Sequence, residues 1–251
     1  MWVTGASSGI GAEVACELTR RGARVAITAR RQEALLEVAG TSGMRVEPGD
    51  VTEGQQMQGI VRSLVAVWGA VDLVILNAGI YEPVTPETFR AEVFRTHLDV
   101  NIMGAVNCIE AVLPEMRARR AGRIAITASV TGFVGLPLAS AYGATKAFLI
   151  SMSDALRADL ASSGVAVTLI APGFVRTPLT DQNPFTMPGI IEADEAARLI
   201  CDGLEAGRAE IGVPRKALLF MKVLAMIPAP ARRWYVARIA GKRERDEAHA
   251  T

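Results

Sequence analysis

Residues 4–11 read TGASSGIG, and this stretch decides the fold. The apolar residues Trp2 and Val3 precede it, and a helical segment near residues 10–21 follows it. Gly5 permits a tight turn, Gly9 lets the backbone approach a pyrophosphate, and Gly11 allows close packing between helix and strand. Free amides and the helix dipole then face the phosphates. The stretch therefore predicts a strand, a phosphate-binding turn and a helix in succession.

Outward from this stretch, short β-rich runs alternate with helical segments. We predict strands near residues 2–4, 23–28, 44–47, 71–76, 123–128, 165–171 and 209–213. We predict helices near residues 10–21, 31–39, 54–68, 88–118, 141–162, 193–206 and 216–227, with a shorter one after Pro230. The alternation predicts an α/β fold in a single domain spanning residues 1–251. Its core is a Rossmann-type doubly wound parallel sheet of about seven strands, with helices on both faces.

The start of the chain is already part of the motif, so we expect no signal peptide. Only three residues separate Met1 from Gly5. Either further residues precede this start or the first strand is trimmed. The longest apolar run, Ala217–Ile227, is interrupted by Lys222 and is too short to span a bilayer.

Composition excludes several classes of protein. Half of the 251 residues are hydrophobic and the net charge is +1, which excludes a disordered chain and gives no global signature of nucleic-acid binding. The cysteines Cys16, Cys108 and Cys201 are widely spaced, so we expect buried small apolar side chains and a reducing, cytoplasmic compartment. His97 and His249 are the only histidines, and His97 has no evident partner. Neither a Ser-His-Asp hydrolase nor a metal site is supported.

The end of the second strand indicates which dinucleotide binds. An acidic residue there would accept hydrogen bonds from the ribose 2′-hydroxyl of NAD(H), but the sequence has Ala29, Arg30 and Arg31. The two arginines are suited to a 2′-phosphate, although two solvated arginines at a helix start are the alternative. We therefore predict NADP(H) as the preferred cofactor, with NAD(H) as the less favoured one.

A tyrosine and a lysine four residues apart indicate acid-base chemistry. Tyr142 and Lys146 share one helix face, thirteen residues after Ser129, which follows the fifth strand. A phenol has an unperturbed pKa of about 10, and a nearby ammonium favours the phenolate. The spacing predicts that Lys146 lowers the pKa of Tyr142, so that Tyr142 transfers a proton.

These motifs, in this order, resemble the short-chain dehydrogenase/reductase family from residue 3 to about residue 213. The family's Asp-Val pair is similar to Asp50-Val51, and its Asn-Ala-Gly turn is similar to residues 77–79, although Leu76 replaces a frequent Asn. The Pro-Gly turn after the sixth strand is similar to Pro172-Gly173. Together with Arg30 and Arg31, the predicted cofactor-binding residues are Gly5, Ser7, Ser8, Gly9, Ile10, Gly11, Asp50, Val51, Asn77, Ala78, Gly79, Tyr142, Lys146, Pro172, Gly173, Val175 and Thr177.

The resemblance also implies a catalytic set of Asn101, Ser129, Tyr142 and Lys146. Ser129 would hydrogen-bond a substrate carbonyl, and Tyr142 would exchange a proton with the same oxygen. Lys146 would contact the nicotinamide ribose, and Asn101 would hold a water that connects Lys146 to solvent. Each residue also has a plain alternative. Ser129 could be a strand-end cap and Tyr142 a packed aromatic ring. Lys146 could be a surface charge, and Asn101 could cap or brace a helix.

Two segments bear on the substrate. Residues 172–192 contain four prolines and predict a lid loop, with Phe185 and Met187 facing a hydrophobic substrate. Phe133, Val134 and Leu136 are predicted to face it as well. The extension 214–251 is basic and apolar, and its part 214–240 is either a substrate-lobe helix with a subunit contact or an element lying on a membrane surface.

The sequence thus predicts an NADP(H)-dependent oxidoreductase that interconverts a small hydrophobic ketone or aldehyde and its alcohol. The alternatives are a non-catalytic NAD(P)-binding sensor and a membrane-peripheral interaction protein. The resemblance further implies a homodimer or homotetramer that forms through the long helices near residues 88–118 and 141–162. We expect a cytoplasmic or membrane-peripheral protein with no metal and no nucleic-acid partner.

Overall fold

The computed structural model describes residues 1–181, 183 and 187–248, with side chains through residue 239, and in it seven strands form one parallel sheet. The sheet order is β3-β2-β1-β4-β5-β6-β7. All six neighbouring pairs are parallel, which confirms the predicted doubly wound α/β fold. The strands are β1 (Trp2–Thr4), β2 (Ala26–Thr28), β3 (Arg45–Val46), β4 (Leu73–Leu76), β5 (Gly122–Thr127), β6 (Val165–Pro172) and β7 (Glu210–Val213).

Helices cover both faces of the sheet. They are α1 (Gly9–Arg20), α2 (Gln32–Ala39), α3 (Gly54–Trp68), α4 (Ala91–His97), α5 (Gly104–Ala118), α6 (Ser140–Asp159), α7 (Ala193–Glu205), α8 (Arg215–Met226) and α9 (Ala229–Ala248). Successive strand residues point to opposite faces. Accordingly, Val74 lies in a core with side chains of α3 and α5, whereas Ile75 lies in a second core with side chains of α1 and α7.

The order of the strands determines where a ligand can bind. The chain runs from β1 outward to β2 and β3, then crosses back to β4 on the other side of β1. The connections after β1 and β4 therefore leave the sheet in opposite directions and open a crevice at the carboxyl ends of these strands. The TGASSGIG stretch follows β1 and the Asn-Ala-Gly turn follows β4, so both border this crevice.

Two helical predictions were wrong in detail. The helix expected over residues 88–118 is divided into α4, a π-helical stretch at Leu98–Met103, and α5. The π-helical stretch contains Asn101, and such stretches often occur at functional sites because they change the direction of a side chain. The helix expected to be short after Pro230 is α9, which has 20 residues.

The cysteines are free, as expected, but one lies outside the core. Cys108 and Cys201 are buried, whereas Cys16 is exposed, which corrects the prediction of three buried thiols. The physical reason is its helical position, since the neighbouring Ala15 and Leu18 of α1 take the buried face.

The segment 172–192 is fixed where it leaves and rejoins the body. Val175 and Ile191 form a parallel bridge, and Arg176 and Glu192 form an ion pair. Phe185, one of the residues predicted to face the substrate, lies outside the described residues. Separately, no helix in the described part of the chain is long and apolar enough to cross a membrane.

Candidate active site

Close contacts hold the glycine stretch against the turn after β4. A Cβ atom on Gly11 would lie 2.3 Å from the carbonyl oxygen of Gly5, and a Cβ atom on Gly5 would lie 2.6 Å from Cα of Ala78. Gly5 also has a φ of +65°, which favours glycine. The Asn77 side chain donates to the Gly5 carbonyl at 3.2 Å. The loop therefore fits against the strand ends only because these positions lack side chains.

Thr4 connects the same two segments, a role that the sequence analysis missed. Its hydroxyl accepts hydrogen bonds from the amides of Asn77 at 3.2 Å and Ala78 at 3.3 Å, and it lies 3.4 Å from the carbonyl oxygen of Ile75, to which it donates. Thr4 is the first residue of the quoted motif, so its position next to the turn was the available signal.

A cleft of about 350 Å³ lies above these contacts. With the exception of Gly11, which lies beneath the loop, every predicted cofactor-binding residue lines it. Lining residues that the sequence analysis did not select are Ala29, Gly49, Ile80, Val100, Thr127, Ala128, Pro178, Leu179 and Thr180. Ser129, predicted as catalytic, lines the cleft as well.

The charges around this cleft suit an anionic ligand. Arg30 and Arg31 are exposed, and among the described side chains neither has an ion-pair partner. Asp50 lines the cleft too, but its carboxylate accepts hydrogen bonds from the amide and hydroxyl of Thr52. Two guanidinium groups are thus available at the end of β2.

Lys146 is buried beside Tyr142. Its Nζ donates to the carbonyl oxygen of Thr127 at 2.9 Å and lies 5.4 Å from the centre of the Tyr142 ring. Burial lowers the pKa of Lys146 to about 8, because a buried ammonium loses its hydration. The group is therefore still largely protonated at neutral pH. Lys146 is not a surface charge, which removes its plain alternative.

Tyr142 does not show the lowered pKa that the sequence predicted. Burial raises the pKa of Tyr142 to about 12, side-chain hydrogen bonding with Ser129 opposes this rise, and nearby Tyr81 adds to it. Its ring packs edge-on against Tyr81 with ring centres 5.2 Å apart. The reason for the difference is that the buried phenolate loses its hydration, which is the largest cause of the raised pKa.

Ser129 caps the short 3₁₀ turn at Val130–Gly132. Its Oγ accepts from the amide of Thr131 at 3.2 Å and from the Thr131 hydroxyl at 3.0 Å, and it lies 3.3 Å from the carbonyl oxygen of Pro172, to which it donates. The plain reading of Ser129 as a cap is thus correct. It does not exclude a substrate role, because Ser129 lines the cleft.

Asn101 connects three segments from within the π-helical stretch. Its side chain accepts from the amide of Ile80 at 2.7 Å and donates to the Ile80 carbonyl and to the Thr145 hydroxyl, each at 3.0 Å. Thr145 in turn donates to the carbonyl oxygen of Tyr142 at 2.7 Å. Asn101 therefore braces the helix that carries Tyr142, although it lines neither cleft.

A second, larger cleft of about 840 Å³ meets the first at Ser129, Tyr142, Gly173, Leu179 and Thr180. It is mostly apolar, and Lys216 is the charged residue among those described that line it. Leu136 lines it as predicted, but Phe133 and Val134 pack into buried clusters instead. Met187 is not among its lining residues.

One wall of the second cleft comes from α8 and α9, within the segment 214–240 that was predicted to be either a substrate-lobe helix or a membrane-surface element. Ala217, Phe220, Met221 and Leu224 of α8 line the second cleft, together with Tyr235 of α9. These residues lie more than 70 positions after Tyr142 in the sequence.

His97 has a structural role. It is buried, its Nε2 accepts from the amide of Glu82 at 3.2 Å, and its Nδ1 lies 2.7 Å from the carbonyl oxygen of Val93. A neutral ring with its proton on Nδ1 satisfies both contacts. Within the described ranges, no group of His, Cys, Asp and Glu side chains could hold a metal ion.

Comparisons with known proteins agree with the fold. A family model described as short chain dehydrogenase matches residues 1–186. An oxidoreductase of Myxococcus xanthus (strain DK1622) is 39% identical over 233 residues, which cover 91% of this chain and 92% of the relative. A short-chain dehydrogenase from Streptomyces avermitilis has a similar structure, with a TM-score of 0.81, 27% identity and 96% of each chain covered. The closed form of a serine dehydrogenase complexed with NADP+ has a TM-score of 0.76 and 28% identity, and covers 84% of this chain and 92% of that one.

Proposed function

Because this chain belongs to the short-chain dehydrogenase family and is an NAD(P)-dependent dehydrogenase or reductase, we propose that it interconverts a hydrophobic ketone or aldehyde and its alcohol, with NADP(H) as the preferred cofactor. The observation that carries this proposal is the meeting of a charged cleft and an apolar cleft at Tyr142 and Ser129. A single domain, residues 1–251, forms both clefts. The direct experiment measures NADPH consumption with a panel of hydrophobic ketones and aldehydes.

The residues of the first cleft fit a nicotinamide dinucleotide. Gly5 and Gly11 leave no room for a Cβ atom, which brings the loop amides and the start of α1 close to the cleft. Amides at a helix start bind phosphate, so Ser7, Ser8, Gly9 and Ile10 would hold the pyrophosphate. Asp50 and Val51 would lie at the adenine, and Asn77, Ala78, Gly79, Pro172, Gly173, Val175 and Thr177 would border the rest of the cofactor.

Tyr142 and Ser129 would act on the substrate oxygen. In reduction, Tyr142 gives its proton to the carbonyl oxygen, and the Ser129 hydroxyl donates a hydrogen bond to the same oxygen as it gains charge. Lys146 would contact the ribose and keep a positive charge near Tyr142, while Asn101, which braces α6 through Thr145, would hold a water near Lys146. When bound, NADP(H) supplies or accepts the hydride.

The proposed preference for NADP(H) makes a testable prediction about Arg30 and Arg31. Replacing both with Ala is expected to raise the KM for NADPH about tenfold or more and to leave the KM for NADH nearly unchanged, because only NADPH carries the 2′-phosphate. Steady-state kinetics with each cofactor measure this. Arg62→Ala, which removes an exposed arginine from α3, is the matched control. An NADH preference in the unmodified enzyme, or equal efficiency with both cofactors, would rule the proposal out.

The pKa of Lys146 makes a prediction about pH. The kcat/KM for carbonyl reduction is expected to be level below pH 8 and to fall about tenfold per pH unit above it, because the buried ammonium of the free enzyme has a pKa of about 8. Tyr142, with a pKa of about 12, keeps its proton throughout this range. A pH profile of kcat/KM, with thermal stability checked at each pH, measures the effect. A rate that stays level through pH 10 would contradict the role of Lys146.

We also propose a cytoplasmic homodimer or homotetramer. The outer surface of the helical region near residues 88–118 and of α6 exposes Leu98, Met103 and Phe148. Apolar side chains exposed on packed helices are suited to a contact with a second copy. Sedimentation velocity measures the oligomeric state directly.

A further inference from the structure

The helix α8 is apolar on two opposite faces. Leu218, Met221 and Leu224 are buried against the body of the protein. Leu219, Val223 and Met226 are spaced by four and three residues, so they share another face, and they are 63%, 46% and 78% exposed. A helix on the surface of a globular protein normally has a polar outer face, so this face indicates a contact with something apolar.

The helix α9 extends the same surface. It packs on α8 through Phe220 and Tyr235, whose ring centres are 6.2 Å apart, and through Arg232, which donates to the carbonyl oxygen of Ala225 at 2.8 Å. Trp234 is 64% exposed, and the guanidinium of Arg238 lies 5.5 Å from its ring centre. Tryptophan beside arginine is typical of segments at a boundary between water and lipid.

From Arg215 to Arg243, which covers α8 and most of α9, all charged residues are basic, and the acidic residues of α9 lie near its end at Glu244, Asp246 and Glu247. Arg215, Lys216, Arg233 and Arg238 are exposed, and the sequence has no Asp or Glu from Ile211 to Arg243. The preceding acidic residue, Glu210, is already paired with Lys222. The apolar face is therefore accompanied by positive charges, and along the chain no carboxylate follows them until Glu244, near the end of α9.

This charge distribution favours an anionic lipid surface over a second copy of the chain as the partner of the exposed apolar face. A two-fold contact between copies would bring the same cations of both chains together, which costs electrostatic energy. An anionic lipid surface instead offers apolar chains to Leu219, Val223, Met226 and Trp234 and negative headgroups to the arginines. We propose that α8 and α9 dock on an anionic lipid bilayer surface.

Docking would connect the lipid to the proposed active site, and this step rests on the proposed function. Side chains from the same two helices, among them Met221, Leu224 and Tyr235, line the apolar cleft that reaches Tyr142. A hydrophobic carbonyl compound dissolved in the bilayer would enter the cleft beside the docked helices. The partner is therefore a lipid surface, and the substrate class is a carbonyl compound that partitions into it.

The test is co-sedimentation of the full chain with phosphatidylcholine vesicles, with and without phosphatidylglycerol. The unmodified protein is expected to bind only the anionic vesicles. Leu219→Glu combined with Met226→Glu is expected to lower binding about hundredfold, because the double change puts two carboxylates where apolar side chains would enter the lipid. Leu36→Glu combined with Val67→Glu changes two exposed apolar residues on α2 and α3 and is expected to leave binding unchanged.

A second variant tests the charges separately. Arg215→Gln combined with Arg233→Gln is expected to lower binding to anionic vesicles at least tenfold, since each cation near the surface contributes to attraction. Circular dichroism checks the folding of every variant. The Arg215→Gln/Arg233→Gln variant keeps the test informative if the Leu219→Glu/Met226→Glu variant unfolds. Equal binding to neutral vesicles, no binding to either vesicle, or equal loss in the control would each overturn the proposal.

Two further measurements separate this proposal from others. If the unmodified protein is an oligomer in sedimentation velocity and the Leu219→Glu/Met226→Glu variant is a monomer, the face is a contact between copies and the membrane proposal is wrong. Turnover of a water-soluble ketone by the Glu variant is expected to match the unmodified enzyme, because Leu219 and Met226 do not line the cleft. Absence of any ketone turnover in the unmodified enzyme would defeat the proposed function and leave the binding result standing.

Discussion

Replacing Tyr142 with Phe is expected to lower kcat about a thousandfold and to leave the Kd for NADPH within about twofold. The substitution removes only the phenolic oxygen, which is the proposed proton donor where the two clefts meet. Its ring still packs against Tyr81, so the shape of the site is retained. Steady-state NADPH oxidation with a reducible ketone gives kcat, and titration calorimetry gives the Kd.

Tyr235→Phe is the matched control for this experiment. Tyr235 also lines the apolar cleft, but it packs against Phe220 on α8 and does not border the charged cleft. Its loss is expected to change kcat less than about twofold. If Tyr142→Phe retains most of kcat, or if both variants lose activity alike, Tyr142 is not the proton donor.

The elevated pKa of Tyr142 refines the chemistry that the sequence suggested. A pKa of about 12 keeps the phenol protonated at neutral pH, which is the form that donates to a carbonyl oxygen. Oxidation of an alcohol requires the phenolate instead, and burial opposes that form. In the proposed mechanism Tyr142 would therefore act as the acid in reduction, with the Lys146 ammonium 5.4 Å from its ring centre.

The sequence predicted the sheet well because buried parallel strands leave a strong signal. The run in β4 is wholly apolar and that in β6 is apolar except for the buried Thr168, and each falls within the predicted range or one residue beyond it. The glycines of the TGASSGIG stretch were also informative. Their spacing reflects a close backbone contact between Gly5 and Gly11, both of which lie within a few residues of β1. Motifs whose members lie at the strand ends were placed together because the topology determines where those ends meet.

The features that were missed depend on geometry that no local pattern carries. The π-helical turn at Leu98–Met103 has no periodicity distinguishable from that of a long helix. The partner of Lys146 is the backbone carbonyl of Thr127, which any residue could provide. The exposure of Cys16 and the inward packing of Phe133 and Val134 are set by which face of each segment meets its neighbours.

The second large effect is expected at Gly11. Gly11→Ala would place a Cβ atom 2.3 Å from the carbonyl oxygen of Gly5 and 2.5 Å from the side-chain nitrogen Nδ2 of Asn77, so α1 and the loop must move apart. Such overpacking costs about 1–3 kcal/mol, which corresponds to a fall in Tm of about 2–12 °C for a chain of this size. The displaced amides would also bind pyrophosphate poorly, and we expect the Kd for NADPH to rise about a hundredfold. Thermal unfolding and titration calorimetry measure the two effects.

Gly59→Ala is the control, since Gly59 also lies inside a helix, α3, but has open space around it. The nearest atom to an added Cβ is the Arg62 guanidinium at 3.9 Å, at the end of a flexible side chain. Alanine there is expected to stabilise the fold by about 0.5–1 kcal/mol, because glycine is the weaker helix former. NADPH binding should not change in this variant. If Gly11→Ala binds NADPH as tightly as Gly59→Ala does, the close approach of the loop to the strand ends is not what forms the phosphate site.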